Sequence, residues 1–154
     1  MAKVTSQENP RPGRRPHRQG GDLAALTAHL KDFRAGGYEV ASVAESVCAS
    51  CGGRAFEVGV DDEAGCAERH CVACGEFTLI ADSADYWTEA EPERCECPCG
   101  GDVFAVAVGF AAAGEGDEIR WVSIGLRCLK DDQLGVYTHW KIDYTPSGHL
   151  RDMA

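Results

Sequence analysis

Cys51-Gly-Gly-Arg-Ala-Phe-Glu-Val-Gly-Val60 recurs 48 residues later as Cys99-Gly-Gly-Asp-Val-Phe-Ala-Val-Ala-Val108. In each copy a cysteine and two glycines lead into alternating apolar residues, the period of a strand with one buried face. Phe56, Val58 and Val60 alternate with smaller or polar neighbours in the first copy. Phe104, Val106, Val108 and Phe110 do so over a longer run in the second. Each copy is followed by a further cysteine element, Cys71-Val-Ala-Cys74-Gly in the first and Cys128 in the second. The chain therefore reads as two tandem cysteine-cornered β units.

The first unit carries a complete ligand set. Cys48-Ala-Ser-Cys51-Gly and Cys71-Val-Ala-Cys74-Gly are matched corners, in which two sulfurs reach one ion and the following glycine permits a left-handed turn. Four thiolates suit tetrahedral zinc and leave no coordination position for water or substrate, which is the pattern of a structural site. Cys48, Cys51, Cys71 and Cys74 are accordingly expected to hold a structural Zn2+.

The second unit is altered. Aligning the repeats puts Glu96 at the place of Cys48, Cys99 at Cys51, Cys128 at Cys71 and Asp131 at Cys74. The chain offers Cys95-Glu-Cys97-Pro-Cys99 instead, and Pro98 biases Cys97 toward an extended conformation. The expected second set is Cys97, Cys99 and Cys128, with either Cys95 or Asp131 as the fourth ligand of a second zinc. Zinc accepts a carboxylate oxygen at about 2.0–2.2 Å. The bland alternative is a decayed repeat whose remaining cysteines are simply buried. Cys66 stands apart and reads as a loop thiol.

These corners, each ahead of an apolar strand, resemble the zinc-ribbon or rubredoxin-like class of folds over residues 47–82 and more loosely over 95–144. The resemblance implies β-hairpins clipped by a metal, with Cys48, Cys51, Cys71 and Cys74 as ligands. It admits iron beside zinc, because rubredoxin-type corners use the same thiolates. It implies no activity, since ribbons serve in many settings.

Around the two units the chain divides simply. Residues 1–21 combine Pro10, Pro12, Pro16 and several glycines with arginines, the composition of a disordered basic tail. Residues 22–46 hold a helix and a lead-in. Leu23, Leu26, Leu30 and Phe33 form an apolar stripe at helical spacing, with Asp22 as the expected N-cap and Gly36-Gly37 as the stop. The stripe is expected to cover the β core. Residues 47–94 form the first unit, with a turn at Asp61–Gly65, a return strand over Phe77–Ile80 and a short helix capped by Asp82 or Ser83. Residues 95–154 form the second, with a hairpin turn at Gly114–Asp117, a partner strand from Ile119 to Leu126, a last strand over Gly135–Tyr144 and a frayed end. The extra nine residues between Cys99 and Cys128 are expected to fall in the hairpin loop. The fold class is thus a small β-rich α+β protein: two tandem zinc-ribbon-like antiparallel β units with one N-terminal helix.

Composition narrows the function. With 154 residues, 44% of them hydrophobic, the chain can build a core. It has neither an apolar run long enough to span a bilayer nor the apolar region of a secretory signal, so a cytoplasmic protein is expected. Nine cysteines in a reducing compartment favour metal over disulfides. Residues 1–20 carry +4 of an overall charge of −10, which leaves −14 on the rest. An acidic body repels phosphate backbones, so only the basic tail could touch nucleic acid, weakly.

No triad, phosphate loop, dinucleotide fingerprint or metalloprotease helix occurs. A hydrolytic zinc at Cys97, Cys99 and Cys128 would resemble the cysteine-rich part of nucleobase deaminases, but the paired His-x-Glu element is absent. Trp121, Tyr137 and Trp140 could make a base-stacking platform, although aromatics in a sheet more often fill a core. The expected function is non-catalytic: a zinc-binding protein acting through contacts with an unidentified protein partner. The alternatives are a nucleic-acid-associated or regulatory ribbon using residues 1–21, and a zinc or thiol enzyme centred on Cys95–Cys99.

Overall fold

The computed structural model describes residues 22–34, 37–112, 118–144 and 146–154. The basic segment 1–21, Gly36 and the turn Gly114–Asp117 lie outside the described residues. One helix, α1 (Asp22–Asp32), is followed by eight strands: β1 (Val40–Glu45), β2 (Phe56–Asp61), β3 (Cys66–Cys71), β4 (Phe77–Leu79), β5 (Glu93–Arg94), β6 (Phe104–Ala112), β7 (Ile119–Cys128) and β8 (Leu134–Lys141). All pairings are antiparallel, in the order β4-β3-β2-β6-β7-β8, with β1 also on β6 and β5 also on β2. The protein is β-rich with a single α-helix among the described residues, as its alternating apolar runs require.

Two hairpins, β2–β3 and β6–β7, meet at one point. Phe56 pairs with Phe104, 48 positions on, and each of them also pairs with the first cysteine of the second corner of its own hairpin, Cys71 and Cys128. The surrounding pairings are reciprocal. β1, which leads into Cys48, lies on β6, with Ala44 opposite Val108 and the Ser46 N–H donating to the Val106 carbonyl at 2.9 Å. β5, which leads into Cys97, lies on β2, with Glu93 opposite Val60 and the Cys95 N–H donating to the Val58 carbonyl at 2.8 Å. Each hairpin thus receives the lead-in strand of the other, as a local twofold relation about Phe56 and Phe104 requires.

Several expectations change. The return strand of the first hairpin is Cys66–Cys71, not Phe77–Ile80; the latter segment contributes the short edge strand β4. The buried face of β3 is made by Ala67, Arg69 and Cys71, and a buried arginine in that row hides the alternation. Cys66 is therefore no loop thiol but a fully buried first residue of β3. β2 and β3 have six residues each, whereas β6 has nine and β7 ten, so most of the insertion lengthens the strands rather than the loop. β1 pairs with Ala107–Ala111, running from the part of β6 that matches β2 onto its added length.

The segment after Asp82 forms two short 3-10 turns, Ser83–Asp85 and Trp87–Glu89, in place of one helix. Asp82 does not cap through its side chain; its carboxylate accepts the Trp140 indole N–H at 3.0 Å and the Tyr144 hydroxyl at 2.8 Å. β8 ends at Lys141, short of Tyr144. The C-terminal segment is not frayed. It forms a 3-10 turn over Gly148–Asp152, buries Leu150, and lets the Met153 carbonyl accept the Ala81 N–H at 2.7 Å.

One core unites both hairpins: Phe56, Val58, Phe104, Val106, Val108, Ile124, Leu126, Trp140 and Leu150 all belong to it. The register shift between Ile124 and Gly125 brings both Tyr137 and Trp140 into that core. Tyr137 and Trp140 are thus withdrawn from any stacking platform. On the other face of β6–β8, α1 seats Leu26 and Leu30 against Ala107 and Val136, with Phe33 partly buried beside them. Leu30 comes so near Gly125 that a Cβ there would lie 2.9 Å from it. The apolar stripe therefore covers the sheet, except for Leu23, which is exposed. α1 ends at Asp32, and the expected stop survives in Gly37, whose φ is +84° and whose N–H reaches the Arg34 carbonyl.

Candidate metal centres

Each hairpin begins and ends at a chain corner, and the corners of one hairpin face each other. In the first, the Cys48 N–H donates to the Gly53 carbonyl and the Gly52 N–H to the Cys48 carbonyl, which closes the loop around two sulfurs. In the second corner the Cys71 N–H donates to Glu76 and the Gly75 N–H to Cys71. The second hairpin repeats these bonds. Cys97 donates to Gly101, Gly100 to Cys97, Cys128 to Gln133, and Asp132 to Cys128. Even the anchors to the neighbouring strand match: Val72 N–H to the Ala55 carbonyl, Leu129 N–H to the Val103 carbonyl.

These bonds correct the linear alignment in one place. Cys97, not Glu96, takes the position of Cys48, because the corner Cys97-Pro-Cys99 is one residue shorter than Cys48-Ala-Ser-Cys51. Backbone conformation follows the same correspondence. Gly52 and Gly100 have φ of +79° and +95°, and Gly75 (+83°) is matched by Asp132 at +65°. A non-glycine residue in that region is uncommon, although Asp tolerates it better than most. The Asp132 carboxylate is held by Arg127 at 2.6 Å.

Four donor atoms converge at each end. Cys48, Cys51, Cys71 and Cys74 form the first group, and Cys97, Cys99, Cys128 and Asp131 the second; within each group all donor atoms lie within 4.8 Å of one another. Cys95, the other candidate for the fourth position, is not in the second group. It is fully buried, and that burial pushes its thiol up to about 12. In the first group Cys48 to Cys74 and Cys51 to Cys71 are each 3.6 Å apart. In the second, Cys99 to Cys128 is 3.6 Å, and Cys97 lies 3.6 and 3.8 Å from the two Asp131 oxygens. A zinc ion about 2.3 Å from each sulfur would set tetrahedral edges of about 3.8 Å. Both groups fit a metal ion.

The second glycine of each Cys-Gly-Gly phrase explains itself here. A Cβ on Gly53 would stand 3.1 Å from the Cys71 sulfur and 3.3 Å from that of Cys51; one on Gly101 would stand 3.0 Å from Cys128 and 3.4 Å from Cys99. Glycine is what lets the backbone pass beside the sulfurs. Backbone donors point at them as well: the Gly101 N–H at Cys99 (3.4 Å) and the Lys130 N–H at Cys128 (3.3 Å). Such bonds stabilise thiolate over thiol.

Electrostatics differ between the ends. At the first, the backbone N–H of Cys74 helps hold the Cys71 thiol down at about 7, against burial. Arg69, buried and stacked 4.8 Å above the Phe56 ring, donates to the Ala154 carbonyl at 2.9 Å. Burial pulls its guanidinium down, and the charges of Cys48, Cys71 and Glu76 draw it back up. At the second end, burial pushes the Asp131 carboxyl up. The Gln133 N–H on one oxygen (3.0 Å), the Gln133 amide on the other (3.1 Å) and the neighbouring thiols outweigh it, so Asp131 ionises below the usual carboxylate range.

Comparison with protein-family models, curated proteins and solved structures finds no match for this chain. Its chemistry is therefore read from the two four-donor groups alone. The remaining candidates for chemistry do not assemble. His139 accepts the Trp121 indole N–H at 3.0 Å and packs on Phe33. Cys66 is raised to about 11 by burial and by Asp61 and Asp82. No described helix is long and apolar enough to cross a membrane.

Proposed function

We propose that the chain is a non-catalytic metalloprotein, two ribbon-like units in tandem, each stapled by one zinc ion, that works by binding another protein. The observation carrying this reading is the convergence of four donors at the corners of each hairpin, enough in either set to fill a tetrahedron. Closed thiolate-rich sites supply folding energy rather than a reacting ligand. Cys66 and Cys95, the thiols outside the two sets, are buried and raised, which disfavours thiolate chemistry at either.

Support for a protein partner comes from the surface. Val72 and Leu129 occupy matching places directly after Cys71 and Cys128 and are 48% and 40% exposed. Val47 and Phe77 are exposed near the first unit as well. Exposed apolar side chains at the corners of an overall acidic chain suit a contact whose charge selects the partner. The acidic balance disfavours nucleic acid.

Native mass spectrometry with metal analysis tests the metal reading: two zinc ions per chain are expected, and none in reduced, folded protein would end it. Cys51→Ser is expected to abolish the cooperative melt of the zinc-loaded protein. An unchanged melting temperature would remove the structural role.

A further inference from the structure

We propose that the two sites hold metal unequally: Cys48, Cys51, Cys71 and Cys74 keep their ion, whereas the second site exchanges its ion, with Asp131 as the ligand that lets go. This inference rests on the metal reading above and assigns the second site a divalent, zinc-like cation under exchange control.

Three observations support it. The first is donor chemistry. A carboxylate oxygen is a harder, more ionic donor than a thiolate, and zinc–oxygen contacts are more readily replaced by water. Asp131 stands where the first site has Cys74, in an otherwise matching corner. The second is what Asp131 already holds. One oxygen accepts the Gln133 N–H and the other the Gln133 side-chain amide. On leaving the metal, the carboxylate keeps a partner on each oxygen, so dissociation strands no buried charge. The third is the shorter corner Cys97-Pro98-Cys99. The loop is one residue tighter than its counterpart, with proline's fixed φ between the two cysteines, so its sulfurs approach an ion from a different backbone.

With zinc bound at the second site, exchange would begin at the zinc–oxygen bond: Asp131 would leave as a carboxylate that keeps its two Gln133 bonds, and water or a chelator donor would take the vacated position. Further chelator donors would then replace the three sulfurs one by one, each freed thiolate taking up a proton from water.

Loss of the second ion has a route to the rest of the molecule. Cys128 pairs with Phe104, Phe104 with Phe56, and Phe56 with Cys71. Leu129, the exposed apolar residue of the second corner, is tied to the same hairpin by its N–H on Val103. An emptied second site therefore alters the surface around Leu129 while the first site keeps the fold closed.

The experiment uses the full chain loaded with zinc, a chromogenic chelator in excess, and native mass spectra along the time course. Two phases are expected, one ion leaving at least about tenfold faster than the other. Asp131→Cys should slow the fast phase to the rate of the slow one. Cys74→Asp should bring the slow phase up to the fast one. Circular dichroism of the loaded variant shows whether a cysteine at 131 leaves the fold intact, and the reciprocal Cys74→Asp result keeps the test decisive. One rate for both ions, or two rates unchanged by both substitutions, overturns the proposal while leaving two metal sites. Protein that takes up no metal overturns the metal reading itself.

Discussion

Phe56 and Phe104 lie directly opposite one another, the one residue pair that joins the first strands of the two hairpins. Both are fully buried, and each is paired on its other side to a cysteine of one of the four-donor groups. Truncating either to alanine should cost about 3–5 kcal/mol, from lost burial and the cavity left behind. Because the rings share one site, the double variant should differ from the sum of the singles by about 0.5–3 kcal/mol. Urea unfolding of the four proteins measures this; strict additivity would show that the hairpins are energetically independent.

Gly53→Ala and Gly101→Ala should weaken metal retention at the first and second site respectively, by roughly tenfold. The added methyl would press on a sulfur at 3.1 or 3.0 Å, and a sulfur held by a metal cannot swing away. Gly52→Ala is the control. Its φ of +79° makes a side chain cost about 1–2 kcal/mol, yet a Cβ there meets nothing within 4 Å. It should lower stability and spare metal affinity. Chelator competition and thermal melts separate the two effects.

Arg69→Met should not lower the melting temperature at saturating zinc, because it removes a buried cation whose Nε and Nη1 have no hydrogen-bond partner among the described residues. The loaded protein should nevertheless release the first ion sooner, since the positive charge near Cys48 and Cys71 is gone. Equal release rates in the variant and its parent would remove Arg69 from the account of the site.

His139 should make stability depend on pH. Burial holds its imidazole below the ordinary 6.5, and the charge of Asp62 only partly opposes this. The Trp121 indole N–H donates to its Nδ1, which favours the neutral ring. The unfolded chain therefore takes up the proton first, so stability is full above about pH 7 and falls as pH drops through 6.5 toward the folded value. The difference between the parent and His139→Gln, followed by urea midpoints and Trp121 fluorescence, isolates this from acid loss of metal. A difference that does not change between about pH 7.5 and pH 5.5 would refute it.

Much of the architecture is legible in single residues. Cys48, Cys51, Cys71 and Cys74 announce a ligand set because metal chemistry demands thiolates at corner spacing, and the structure brings them together. Phe56 to Val60 and Phe104 to Phe110 show their strands because one buried face imposes a two-residue period. Leu26 and Leu30 show α1 by the helical one. β3 escapes this reading, since its inward row contains Arg69, and its burial depends on Phe56 and the C-terminal segment lying over it.

The chain by itself determined the candidate metal donors and the strands β2, β6 and β7, because both are local: donor type, glycine placement and alternation are written in consecutive residues. Only the tertiary structure decided that Asp131 rather than Cys95 completes the second group, that Cys97 stands in for Cys48, and that each lead-in strand joins the opposite hairpin. Those outcomes turn on contacts between residues tens of positions apart. A one-residue shortening at Pro98 and a register set at Phe56 and Phe104 fix them; the residues stand in the sequence, but their pairings do not.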